Sequence, residues 1–305
     1  MSSNKIKPKY FILLLLLGIS CKSDTPVSQP QEEEVAQIPS DNTTSTNLNI
    51  SILLDLSDRI NPDKYPNPAM EYYQRDVAYV KSVSDAFESH LGTKKVRQIN
   101  DNIQLFFEPE PLNKEINSIS ETLKYKLTKM NVSNEILAEF SETYKTEPLK
   151  IYELAIQDDK FIGSDTWKFF KNKVQDYSIE EGYRNILVIL TDGYMFHKDT
   201  RITEGNKTSF LTPEYIRSIK LNSSNWKQKF EDENFGFIPA AQNLDNLEVL
   251  VLGINPDTKN VYEEEIIKNF WSDWFQQMGV ARYEIKNADL PSNMDKIIQD
   301  FILKT

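Results

Sequence analysis

A single cysteine, Cys21, occurs in the 305 residues, so no disulfide can form within the chain. Histidine is nearly as scarce: His90 and His197 are the only two, and neither has a second histidine or a cysteine beside it to suggest zinc-ligand spacing. His90 reads as a capping residue near a helix end, and His197, close after Asp192, as a surface residue or a contact for a ligand. Long apolar runs are lacking too. The run from Tyr10 to Leu17 falls well short of the roughly 20 residues that a membrane-spanning helix needs. Basic charge is in deficit, with 35 Lys and Arg against 46 Asp and Glu and a formal net charge of −11. That balance disfavours nucleic acid and anionic headgroups as partners and leaves cationic partners or simple solubility.

The amino end carries an ordered pattern. Lys5, Lys7 and Lys9 precede the apolar run, and Gly18, Ile19, Ser20 and Cys21 follow it, which is the order of a basic region, a hydrophobic region and a cleavage site. Leu17-Gly-Ile-Ser-Cys21 resembles the lipobox of bacterial lipoproteins, whose cysteine is diacylated and becomes the new amino terminus. Gly18 stands where that pattern prefers leucine. The resemblance implies a signal peptide over 1–21, lipidation at Cys21 and a protein held in the cell envelope by its lipid, with the outer membrane favoured. Two acyl chains give stable membrane attachment where one does not. The alternative is an ordinary secretory signal. Cleavage takes three lysines and no acid from the −11 total, leaving −14.

Residues 22–48 are rich in Ser, Thr, Pro, Gln, Asn and Glu with no aromatic, a composition expected to form a disordered tether. As a flexible coil it would reach roughly 30 Å. Residues 49–305 are long enough for one domain with a substantial core. Ile50 to Leu54, Ile186 to Leu190 and Leu247 to Leu252 are short, nearly continuous apolar runs, as in parallel strands covered on both faces. Weaker strands are expected at Lys95 to Ile99, Ile103 to Phe107 and Ala281 to Ile285. Helical spacing marks Met70 to Leu91, Asn113 to Tyr152, Trp167 to Val174, Glu264 to Met278 and Asn293 to Leu303. Strands alternating with helices predict an α/β fold, with a doubly wound, mostly parallel central sheet flanked by helices. A polar, aromatic-dotted insertion occupies about 194–246.

In such a sheet ligands gather at the carboxyl ends of the strands. One apolar run ends in Asp55-Leu-Ser57-Asp58-Arg59 and another in Thr191-Asp192-Gly193. The pair resembles the von Willebrand factor A domain, whose first strand ends in Asp-x-Ser-x-Ser and whose fourth ends in an Asp, often within Thr-Asp-Gly. The resemblance implies a divalent cation such as Mg²⁺ held by Asp55, Ser57 and Asp192, with Ser164 in the place of the loop threonine and Thr166 second. In that family the metal's open position takes an acidic group of a protein partner. Hard cations do prefer such oxygens. Arg59, however, stands in the place of the motif's last serine. A guanidinium about 4 Å from a dication meets roughly 8 kcal/mol of repulsion at an effective dielectric near 20. Two arrangements remain open: Arg59 points away while Asp58 supplies an oxygen, or it folds inward onto Asp55 or Asp192 and replaces the cation.

Several other features read as structural. Trp271, Trp274 and Phe275 fall at helical spacing and are expected in the core, and Glu263 to Glu265 form a helix first turn. Asn61 to Tyr73 is a rigid turn or a recognition rim beside the site. No nucleophile with a matched base is visible, so the expected function is a non-catalytic module that binds a protein partner through Arg59, Asp58 and Thr166 as well as the motif residues. A metal-dependent hydrolase or phosphatase is the rival, although a haloacid-dehalogenase-like motif needs a second acid where Ser57 stands. A scaffold that binds through the insertion is the third reading.

Overall fold

The computed structural model describes residues 46–304, and the predicted signal peptide, Cys21 and most of the predicted tether lie outside them. The first strand, β1 (Asn47–Leu54), is followed by α1 (Tyr72–Gly92), β2 (Asn100–Phe107), α2 (Lys114–Thr122), β3 (Tyr125–Thr128), α3 (Asn134–Asp158), α4 (Thr166–Asn172), α5 (Val174–Ser178) and β4 (Tyr183–Leu190). After these come β5 (Thr203–Glu204), β6 (Lys207–Thr208), α6 (Pro213–Ser218), α7 (Trp226–Asp232), β7 (Gly236–Phe237), β8 (Leu247–Ile254), α8 (Glu263–Met278), β9 (Arg282–Asn287) and α9 (Pro291–Leu303).

Six strands form the main sheet in the order β3-β2-β1-β4-β8-β9, and every pairing is parallel except that of β2 with β3. The chain winds outward from β1 in one direction and then from β4 in the other, which is the expected doubly wound α/β architecture. The continuous apolar runs are explained by this position. Along β1, Ile50, Ile52 and Leu54 face one layer while Leu53 faces the other. β4 divides likewise, with Ile186, Val188 and Leu190 on one face and Leu187 and Ile189 on the opposite one. The first layer is built on α1, α3 and α9, with Phe87, Tyr144 and Phe301 among its side chains. The second is built on α4 and α8, and Trp271, Trp274 and Phe275 are fully buried in it, as expected.

The structure corrects the boundaries in three places. β1 starts at Asn47, within the predicted tether, because Leu48 is buried and its amide donates to Asp101 Oδ1 at 2.7 Å. Asp101 also pairs with Lys94 at 2.7 Å, both side chains being fully buried, and lies 3.2 Å from His90 Nε2. His90 therefore does more than cap α1. Lys95 to Ile99 is a 3-10 turn, not a strand, with Gln98 and Ile99 amides donating to the Lys95 and Val96 carbonyls. Inside the region read as helical, Tyr125–Thr128 forms the antiparallel edge strand β3.

The insertion is not a polar excursion. It holds the small sheet β5-β6-β7 and two helices, and it sends Leu211, Ile216, Trp226 and Phe237 into the second core layer. The Ile238 carbonyl accepts indole N–H bonds from both Trp167 and Trp274, at 2.8 and 3.0 Å.

Candidate functional site

The loops leaving β1, β4 and β8 at their carboxyl ends, together with the segment before α4, enclose a cleft of about 670 Å³. Ser57, Asp58, Arg59, Ser164 and Asp192 all line it. Tyr65 and Tyr72 from the Asn61 to Tyr73 segment also line it, so that segment borders the cleft. Asp55 and Thr166 do not line it. Both are buried, Asp55 just after β1 and Thr166, 2 % exposed, as the first residue of α4.

Arg59 determines the chemistry of the floor. Asp55 Oδ1 accepts the Ser57 amide at 2.8 Å, which bends the chain off β1 into a 3-10 turn over Asp58–Ile60. The turn carries Arg59 inward, where it is 6 % exposed. Its Nη2 donates to Asp76 Oδ2 at 2.5 Å and to the Leu190 carbonyl at 3.1 Å, and its Nε lies 3.5 Å from Asp55 Oδ2. The Tyr152 hydroxyl donates to the same Asp76 oxygen at 3.0 Å, and the Thr191 hydroxyl to Asp55 Oδ2 at 3.0 Å. Burial acts to lower the guanidinium's pKa, but Asp76 and then Asp55 outweigh it, and the net direction is upward. Burial works to neutralise Asp76, against Arg59 and Tyr152. With a guanidinium that cannot shed its proton at 2.5 Å, the ionised pair prevails.

This donor set does not fit a divalent cation. Asp55 Oδ1 and Oδ2 each accept a hydrogen bond, and the Arg59 guanidinium, 3.5 Å from Oδ2, sets a fixed positive charge beside the carboxylate that a dication would have to approach. Arg59 has taken the inward of the two arrangements open from the sequence, with Asp76 as its main partner. Asp58 pairs with Lys64, and Arg59, although paired inward, still lines the cleft.

Asp192 is half-buried beside this pair. Its Oδ1 accepts the Tyr194 amide at 3.0 Å, and its carbonyl accepts the Asn255 amide at 2.9 Å. Burial, helped by the Asp55 charge and opposed by Arg59, pushes its carboxyl up to about 7. Gly193 follows at φ +96°, and a Cβ there would stand 2.5 Å from Ile267 Cγ2 and 2.8 Å from Ile254 Cδ1. The Asp-Gly pair is thus fixed by close packing on α8 as well as by the turn.

The insertion supplies the facing wall. Ser164 and Phe196 exchange backbone hydrogen bonds at 3.1 Å in both directions, which fixes the segment before α4 against the start of the insertion. Tyr194 donates its hydroxyl to Glu263 Oε1 at 2.6 Å and accepts the Asp257 amide at 2.8 Å, so it clamps the loop after β8 to α8. Glu263, read from sequence as a simple first-turn acid, is fully buried as part of that clamp. His197 lies 3.6 Å from Asp165 rather than against Asp192. Tyr194, Phe196, Thr212 and Glu214 line the same cleft as the motif residues, so the insertion and the sheet edge share one surface.

Asp76 and Tyr152 were not anticipated. The signal was present for Asp76, which shares the helical stripe of Val80, Val83 and Phe87, an acid at a core position of α1. Such an acid requires a buried partner. Tyr152 carried no comparable mark.

No protein-family model matches the chain, and no curated protein matches it. Among solved structures, the chain is similar to an aerotolerance-related membrane protein from Bacteroides fragilis NCTC 9343, at 11 % identity and a TM-score of 0.38, over 85 % of this chain and 100 % of that one. It is also similar to the conserved hypothetical protein BatB from Bacteroides thetaiotaomicron, at 13 % identity and a TM-score of 0.37 over the same shares. The open conformation of the pilus adhesin SpaC from Lactobacillus rhamnosus GG gives 11 % identity and a TM-score of 0.40, over 85 % of this chain and 30 % of the adhesin. The doubly wound α/β assignment rests on the strand order and register of the chain itself.

Proposed function

We propose that the domain is a non-catalytic binding module that engages a protein partner through the cleft at the carboxyl edge of its sheet, and that it does so without a divalent cation. The observation that carries the reading is the cleft itself. It gathers five of the seven residues singled out from the sequence, beneath an aromatic mouth that is built in part from the insertion. The internal guanidinium supports metal independence, since Arg59 supplies the positive charge that Asp55 and Asp76 need. Among the described residues, neither the Ser57 nor the Ser164 hydroxyl is hydrogen-bonded to a base, and Asp55 is 4 % exposed with both oxygens engaged. A hydrolytic role finds little support in that arrangement.

A photo-crosslinking residue at position 196, where Phe196 is exposed at the cleft mouth, is expected to capture a discrete protein in intact cells. The same residue at 130, at the distant β3 edge, captures none. Capture at 196 persists in the presence of a chelator. Absence of a crosslink at 196 removes the reading. Heat on titrating Mg²⁺, Mn²⁺ or Ca²⁺ into the protein removes its metal-free half.

The same proposal places the domain in the cell envelope, held by a diacylated Cys21 and leaning to the outer membrane. Fed an alkyne fatty acid, cells expressing the protein incorporate the label, and Cys21→Ser abolishes it and shifts the chain from the membrane to the soluble fraction. Persistence of the label in that variant refutes the anchor.

A further inference from the structure

At the cleft and just beneath it, carboxylates outnumber cations. Asp55, Asp76 and Asp192 stand around one guanidinium, that of Arg59. The walls are balanced: Asp58 pairs with Lys64, and Glu214 and Asp257 pair with Arg217, with Lys259 3.9 Å from Asp257. The surplus of carboxylate over cation therefore sits at and beneath the floor, not in the walls. Asp55 and Asp76 are committed to Arg59, whereas Asp192 opens into the cleft, and its Oδ2 takes no hydrogen bond from any described residue.

The mouth has a matching character. The Tyr65 ring carries Lys64 at 5.4 Å and the Tyr72 ring carries Arg75 at 5.2 Å, so aromatic faces here already take cations of the chain itself. Phe196 stands 41 % exposed at the same mouth, and no cation from a described residue lies over its ring. A cleft with an acidic floor and an aromatic mouth suits a side chain with an apolar stem and a cationic head.

We propose that this cleft receives a lysine or arginine side chain of the protein partner, its head against Asp192 and its stem along Phe196. The inference rests on the reading of the cleft as the partner-binding surface and gives that surface its polarity. In the metal-bearing family that the motif resembles, the domain supplies the cation and the partner the carboxylate. Here the domain's own cation at this place, Arg59, is paired with Asp55 and Asp76, and in this proposal the order of charges across the interface reverses.

Saturation-transfer NMR on the full chain in detergent, with Nα-acetyl-arginine amide, Nα-acetyl-lysine amide and Nα-acetyl-glutamate amide as probes, tests this. Transfer is expected to the side-chain methylenes of the two cationic probes, to weaken about tenfold in Asp192→Asn, and to weaken in Phe196→Ala, with both variants folded by circular dichroism. Added salt lowers it further. Equal or stronger transfer to the glutamate probe overturns the polarity while leaving the binding surface in place. Cationic transfer that Asp192→Asn does not change places the probe elsewhere and overturns the inference. Absence of transfer to all three probes also overturns it, and crosslinking at position 196 then decides separately whether the cleft binds a partner at all.

Discussion

Arg59→Ala destabilises the domain by about 3–5 kcal/mol, the usual loss when one member of a buried ion pair is removed. The reason is the state of what remains. Asp76 is 2 % exposed and Asp55 4 %, and without the guanidinium each is left with neutral hydroxyl or amide donors only. For a domain of this size the loss corresponds to roughly 10 °C or more in Tm. The deficit is largest at neutral pH and shrinks in acid, where Asp76, whose burial favours its neutral form, takes up a proton. Arg59→Lys recovers only part of it, because an ammonium cannot reproduce the guanidinium's simultaneous reach to Asp76, Asp55 and the Leu190 carbonyl. Urea unfolding at two pH values measures both effects. A loss below about 1 kcal/mol at pH 7 contradicts the buried-pair account.

Asp192→Asn has the opposite effect and stabilises the domain at neutral and alkaline pH by about 2–4 kcal/mol, given 1.36 kcal/mol per unit of pKa shift. The native carboxyl is raised from 3.8 to about 7, so the native state holds its proton more tightly than the unfolded chain does. A raised acid therefore contributes no penalty below about pH 4. The penalty grows as pH climbs through the interval between the two values and is complete above about 7. The variant's advantage over the parent follows that course, near zero at pH 4 and at its plateau by pH 8. Thermal unfolding across that range reads it directly. A constant difference at all pH values contradicts the assignment to this carboxyl. A residue that weakens its own fold is expected where function requires an underpaired carboxylate at a binding surface, and in the present proposal the same substitution removes cation binding.

How much of this was legible in the sequence depended on where each residue's partner lies. β1, β4 and β8 were plain because strands buried on both faces must be continuously apolar, whatever else the fold contains. β3 was hidden because a four-residue edge strand, Tyr125 to Thr128, has one neighbour and too few residues for alternation to stand out from the flanking helices. Lys95 to Ile99 imitated a strand although Val96 is 60 % exposed and pairs with nothing in the sheet. At the site, Asp55, Ser57 and Asp192 were found because local motifs carry them. The destination of Arg59 was not fixed locally. It depends on Asp76, 17 residues away on α1, and on Tyr152 of α3, a third element, whose proximity the parallel sheet creates. The insertion was misjudged as polar because its buried residues are spaced to fill gaps against α4 and α8 rather than at any regular period.

β1 has one further consequence, a mechanical one. Residues preceding the domain join it at Asn47, the amino end of the strand, while the cleft opens at the carboxyl end, about 25 Å away for eight residues of extended chain. Both edges of β1 are hydrogen-bonded, to β2 over Asn49 to Leu54 and to β4 over Asn47 to Leu54, in parallel ladders. In the proposed arrangement, with an anchor upstream and a partner in the cleft, a pull would run along the strand axis, and the two ladders would resist it together in shear instead of opening bond by bond like a zipper.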